Sequence, residues 1–215
     1  MRTISQITQD LRIVDSQLLQ RYEAYFSRLA PKTEADVMRR FLFAYLSIQT
    51  SWENNVRLYN RLKDLGWIDR SYEDLQAVFV ELRTGLNNRR PLNIWKFGQL
   101  YRAHPGVLLR AMDESWQEYR ERLCYMLPGL GVAKAAFVIE MCWPEANCVC
   151  LDRHMLGKLF DRKKEAMTDR QYRMLEQRFC RACEDRKPGL VRMAFWDHLK
   201  GQPNPDYWAS CLAAS

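Results

Sequence analysis

The sequence has no run of apolar residues approaching the ~18 of a membrane span, and residues 1–15 are too polar for a secretory leader. These absences point to a cytoplasmic or nucleoid-associated protein with no membrane partner, phage origin being one option. Alternating strand patterns are nearly missing, and no internal repeat or low-complexity linker interrupts the chain. The seven cysteines are odd in number and irregularly spaced, which fits reduced thiols better than a disulfide frame.

What is present is a helix period almost throughout. Apolar residues recur at three and four, so the expected fold is all-α: a two-lobed bundle of short helices. Ile4, Ile7, Leu11, Val14 and Leu18, then Tyr22, Tyr25, Phe26 and Leu29, outline an N-terminal helix or pair that Pro31 stops. Thr33 with Asp36 marks the next start, Ser51 another, and Gly66 a stop. Further helices are expected over 72–83, 90–103, 114–126, 132–142, 153–160, 168–184 and 188–199. A chain of 215 residues buries roughly 70% of its unfolded surface, so it needs no staple.

The formal charge of +7 is uneven, with 13 Lys+Arg against 7 Asp+Glu in residues 153–200. Arginine outnumbers lysine 24 to 9, and forked guanidinium groups suit phosphate. A basic sector of this kind favours nucleic acid as partner, and a solvated helical surface is the other reading.

The stretch that carries chemistry is Leu127-Pro128-Gly129-Leu130-Gly131-Val132-Ala133-Lys134. Two glycines around one apolar residue allow a tight turn with positive φ, and Gly131 then opens a helix whose free N–H groups can take a phosphate. This is a helix-hairpin-helix, which grips DNA backbone without reading sequence; packing alone is the other reading. Further on, Cys148-Val149-Cys150-Leu151 delivers Asp152 to the start of a helix containing Arg153 and His154. A carboxylate there is either a plain N-cap or a reactive group.

With hairpin and acid together, the chain resembles the helix-hairpin-helix DNA glycosylase superfamily, endonuclease III-like members included. The resemblance covers about residues 37–160. It implies that Asp152 is the catalytic carboxylate, and that Leu127, Gly129, Leu130, Gly131 and Val132 hold DNA backbone. Tyr45-Leu46-Ser47-Ile48-Gln49-Thr50 is similar to the family's Leu-Ser-x-Gln segment, and Gly85-Leu86-Asn87-Asn88 to its wedge turn. The implied roles are Leu86, Asn87 and Asn88 at the wedge, Gln49 filling the gap left by a flipped nucleotide, and Arg153 and His154 contacting nucleotide or phosphate. Flipping costs a few kcal/mol, which such a wedge offsets.

Two departures bear on mechanism. Members that also cut the strand carry a lysine four residues after the first hairpin glycine; that position is Ala133, with Lys134 one further on. One helical step is about 100°, so Lys134 is expected to turn away, leaving water as nucleophile. A shifted hairpin would bring Lys134 in. The iron–sulfur spacing of several members is missing, since Cys180 and Cys183 are followed only by Cys211. The expectation is therefore no metal, no iron–sulfur cluster and no organic cofactor, with a monovalent cation at the hairpin as the one candidate ion.

The expected lobes are residues 35–145, carrying the hairpin, and residues 1–34 with 146–215, carrying Asp152 and a basic surface at Arg162, Lys163 and Lys164. The expected reaction is hydrolytic release of a modified or mismatched base by a monomer on double-stranded DNA. Two alternatives keep the fold: a phage-type transferase attaching an amine or amino acid to a hydroxymethyl-derived thymine, and a non-catalytic binder of damaged or bent DNA.

Overall fold

The computed structural model describes residues 2–162, 167–202 and 204–212, so Lys163 and Lys164 lie outside the described residues. Every regular element among the described residues is a helix: α1 (Ile4–Leu11), α2 (Ser16–Arg28), α3 (Glu34–Leu46), α4 (Trp52–Leu65), α5 (Tyr72–Glu81), α6 (Arg89–Ala103), α7 (Trp116–Met126), α8 (Val132–Cys142), α9 (Arg153–Phe160), α10 (Asp169–Ala182), α11 (Pro188–Leu199) and α12 (Ala209–Leu212), with 3-10 turns at Trp67–Asp69 and Pro205–Trp208. No helix among them is long and apolar enough to cross a membrane.

Local chemistry explains most boundaries. Thr33 and Asp36 form a reciprocal capping box that starts α3. Ser51 caps α4, and Gly66, at φ 66°, ends it. The N-terminal pattern resolves into two helices because Asp15 caps a second one.

Two helices form the middle of the packing. From Phe41 to Leu46 every residue of α3 is buried, as is every residue of α8 from Ala135 to Cys142. A helix buried on all sides belongs in a core, and these two pack on each other. The chain ends meet, α1 lying on α10 and α2 on α11. Trp208 closes the bundle, its ring edge-on to Phe26 and Phe137 and 4.8 Å from Trp52.

Several aromatic side chains that a base could stack on serve this packing instead. Tyr45 is buried in α3, Trp52 sits among Phe43, Tyr207 and Trp208, and Trp143 lies against Trp116 and Tyr119.

Candidate active site

The hairpin joins α7 to α8. Gly129 has φ 74°, and a Cβ there would lie 2.0 Å from Asn93 Nδ2, so both its conformation and the close approach of α6 require glycine. Leu127 and Leu130 are buried and plug the crossing, while Gly129 and Gly131 stay exposed. Gly131 is the N-cap of α8 and supplies no side-chain cap, which leaves the first-turn amides, at the positive end of the helix dipole, without a side-chain partner.

The end of α3 reaches the other predicted site segments through three consecutive residues. Tyr45 OH donates to Pro128 O at 3.1 Å in the hairpin, and Leu46 O accepts from Arg90 Nη1 at 3.0 Å. Ser47 Oγ accepts from Lys134 Nζ at 2.7 Å and itself donates to Ala44 O.

The Lys134 amine ends in the Leu-Ser-x-Gln-like segment at the end of α3. Its Nζ ends on Ser47, 5.3 Å from the centre of the Phe137 ring. Burial pulls its pKa below the ordinary lysine value, against the opposing pull of the Cys150 thiol and the Asp152 carboxylate, both close enough to act on it. The amine and Asp152 thus share one electrostatic environment.

Asp152 caps α9: its Oδ1 accepts from the amides of His154 and Met155, each at 2.9 Å. Its Oδ2 accepts from Trp196 Nε1 at 2.8 Å. The segment before it belongs to no sheet, so its buried backbone needs side-chain partners. Glu176 accepts from Val149 N at 2.9 Å and Glu140 from Cys150 N at 3.0 Å; Tyr172 OH accepts from Leu151 N and donates to Val149 O. Buried arginines neutralise both acids, Arg120 on Glu176 at 2.6 Å and Arg192 on Glu140. None of these partners stands out as a site residue in the sequence; the only signal is acid and arginine at apolar positions of helical patterns.

The predicted wedge and gap-filling residues occupy strained turns. Gln49 and Leu86 are exposed non-glycine residues in the left-handed region, at φ 52° and 51°. Arg90 ties their two turns together, donating to Leu46 O, Thr84 O and, at 2.6 Å, Gly85 O. Asn87 keeps a buried Oδ1 with no partner, and Asn88 accepts from Gln76 at 2.7 Å.

Arg153 and His154 are exposed at the start of α9, and Lys200 Nζ lies 3.2 Å from His154 Nε2. Arg162 follows α9 and is half-buried. Much of the basic sector is spent internally: Arg173 pairs with Glu121, Lys187 with Glu23, and Arg186 holds the carbonyls of Leu11 and Val14. Arg153, Lys158, Arg170, Arg181 and Lys200 stay exposed.

No protein-family model and no curated protein matches the sequence. Solved structures do. The 8-oxoguanine DNA glycosylase of Thermotoga maritima is 17% identical, with a TM-score of 0.75 over 94% of this chain and 99% of that one. That of Methanocaldococcus jannaschii is 16% identical, with a TM-score of 0.71 over 92% of this chain and 94% of that one. The Methanocaldococcus jannaschii 8-oxoguanine glycosylase/lyase, solved in complex with 15mer DNA containing 8-oxoguanine, gives a TM-score of 0.70 at 16% identity over 91% and 96%. Over nearly the whole chain, then, the all-helical fold is similar to that of these solved 8-oxoguanine DNA glycosylases.

Proposed function

We propose that the protein is a DNA glycosylase that binds double-stranded DNA as a monomer, flips a modified base out of the stack and breaks its N-glycosidic bond. The relatives' named activity makes 8-oxoguanine the first base to test. The observation that carries the reading is the joint placement of a buried lysine amine and a helix-capping carboxylate beside a glycine hairpin, in a fold known from such enzymes.

Breaking the bond builds positive charge on the sugar. A carboxylate about 4 Å away stabilises it by roughly 4 kcal/mol at an effective dielectric near 20, which is the role assigned to Asp152. Burial favours the neutral amine of Lys134, and a neutral amine is a nucleophile. Attack by Nζ on the sugar C1′ forms a C–N bond as the base departs with the electrons of the old one. Loss of one amine proton then lets the nitrogen lone pair open the sugar ring: the C1′–O4′ bond breaks, its electrons leave on O4′, which takes up a proton, and a protonated Schiff base remains. Ser47 accepts one N–H of this amine and so holds it in place. Exposed Leu86 and Gln49 would enter the duplex, and the open first-turn amides of α8 would take a phosphate.

Water as nucleophile is the second reading, favoured by Lys134 already being committed to Ser47 and lying one residue beyond the family's position. Incubation with an 8-oxoguanine duplex under borohydride decides between them. Lysine attack gives a covalent adduct that Lys134→Ala abolishes; base release without an adduct assigns water. Nucleoside mass spectrometry on the same reactions detects a transferase, which leaves an enlarged base on its sugar. Binding without turnover on oxidised, alkylated, deaminated and mismatched duplexes, unchanged in Asp152→Asn, would overturn the enzymatic reading.

A further inference from the structure

Helix α11 carries Arg192 and Trp196, and Lys200 follows directly after its last residue. Their four-residue spacing places the three on one face. They reach the neighbouring chain at Cys150, Asp152 and His154, Arg192 only through Glu140. Arg192 pairs with Glu140, which holds the amide of Cys150; Trp196 Nε1 donates to Asp152; Lys200 Nζ lies 3.2 Å from His154 Nε2. Lys200 also sits 5.5 Å from the centre of the Trp196 ring, on the indole that reaches Asp152.

We infer that Trp196 is a positioning residue for Asp152, fixing through its indole N–H the carboxylate oxygen that the helix cap leaves over. The two α9 amides engage only Oδ1. Capping by one oxygen leaves the carboxylate plane able to rotate about the Cβ–Cγ bond, because that terminal torsion is broad. The 2.8 Å indole bond to Oδ2 removes this freedom. An indole suits the task because it is uncharged: arginine or lysine in its place would cancel the negative charge that the developing sugar cation needs. Arg192, one turn earlier, is consumed by Glu140 instead.

This inference rests on the glycosylase reading for its kinetic consequence, but the bond itself is measurable without turnover. Trp196→Phe keeps an aromatic ring under Lys200 and removes the N–H. In single-turnover assays on the 8-oxoguanine duplex, the cleavage rate is expected to fall about tenfold, as for loss of a hydrogen bond to a charged group, with DNA affinity and Tm unchanged. Full cleavage rate in Trp196→Phe would overturn the inference, and so would an equal loss of Tm and rate, the mark of packing alone. In parallel, the indole N–H resonance absent from Trp196→Phe identifies Trp196 in ¹⁵N spectra. It should shift markedly in Asp152→Asn; an unmoved resonance also overturns the inference. If the wild type cleaves no duplex while this resonance does move, the glycosylase reading fails and the Trp196–Asp152 link stands.

Discussion

The hairpin and the Asp152 segment each bring a chain to the start of a helix, and they do it by opposite means. At Gly131 the helix start is left open: no side chain caps α8, and the turn is shaped by backbone conformation, chiefly the positive φ of Gly129. At Asp152 it is closed by the carboxylate itself, and side chains from α8, α10 and α11 hold the preceding segment, from 10 to 44 residues away in sequence. An open helix start serves a ligand phosphate; a closed one holds a charge in place.

The largest effect is expected where the Asp152 segment loses an acid. Glu176→Ala leaves the Arg120 guanidinium buried without its partner and the Val149 amide unpaired, at a cost of roughly 3–5 kcal/mol. Urea unfolding should move accordingly, and Glu176→Gln, which keeps an acceptor, should lose less. A loss below about 1 kcal/mol in Glu176→Ala would mean that the segment is not held by this pair.

Gly129→Ala tests the hairpin's backbone specification. The left-handed φ and the collision with Asn93 together should cost about 1–3 kcal/mol. Adding Asn93→Ala relieves the collision alone, so the double variant should recover part of the loss. Full recovery would show that φ is not the constraint.

Opposite signs are expected at the two helix starts. Gly131 already has an N-cap conformation, φ −88° and ψ 168°, and a Cβ added there would meet open space, so Gly131→Ser should stabilise the fold by about 0.3 kcal/mol. On the proposed DNA-binding role, the same serine should weaken DNA binding by engaging a first-turn amide. Asp152→Ala removes an existing cap and should lose about 1 kcal/mol. Thermal melts and DNA titrations on both variants read the contrast.

This difference also governs what the sequence discloses. Helix periods, the caps at Thr33 and Ser51, the stop at Gly66, the glycine hairpin and the position of Asp152 are local patterns, and each is legible before folding. Trp196, Glu140 and Glu176 act across the fold, where no short-range spacing announces them. The basic sector misleads for the same reason: a count of charges does not separate Arg186, which ties down the carbonyls of Leu11 and Val14, from exposed Arg181. A helical step by itself does not disclose that Lys134 ends on Ser47, because the direction in which a long side chain leans decides its contact.

The smallest effect should appear in the pH dependence of stability at that lysine. Burial lowers the folded-state pKa of Lys134 below its value of 10.5 in the unfolded chain, so between the two the unfolded state binds the proton more tightly. Its ammonium form therefore opposes folding at low pH, and this penalty fades as pH rises toward 10.5. Lys134→Met should remove that contribution: the stability difference between about pH 7 and about pH 9.5, measured by urea unfolding, should be less favourable to high pH in the variant than in the wild type. An unchanged difference would mean that burial does not lower the pKa of this amine in the folded protein.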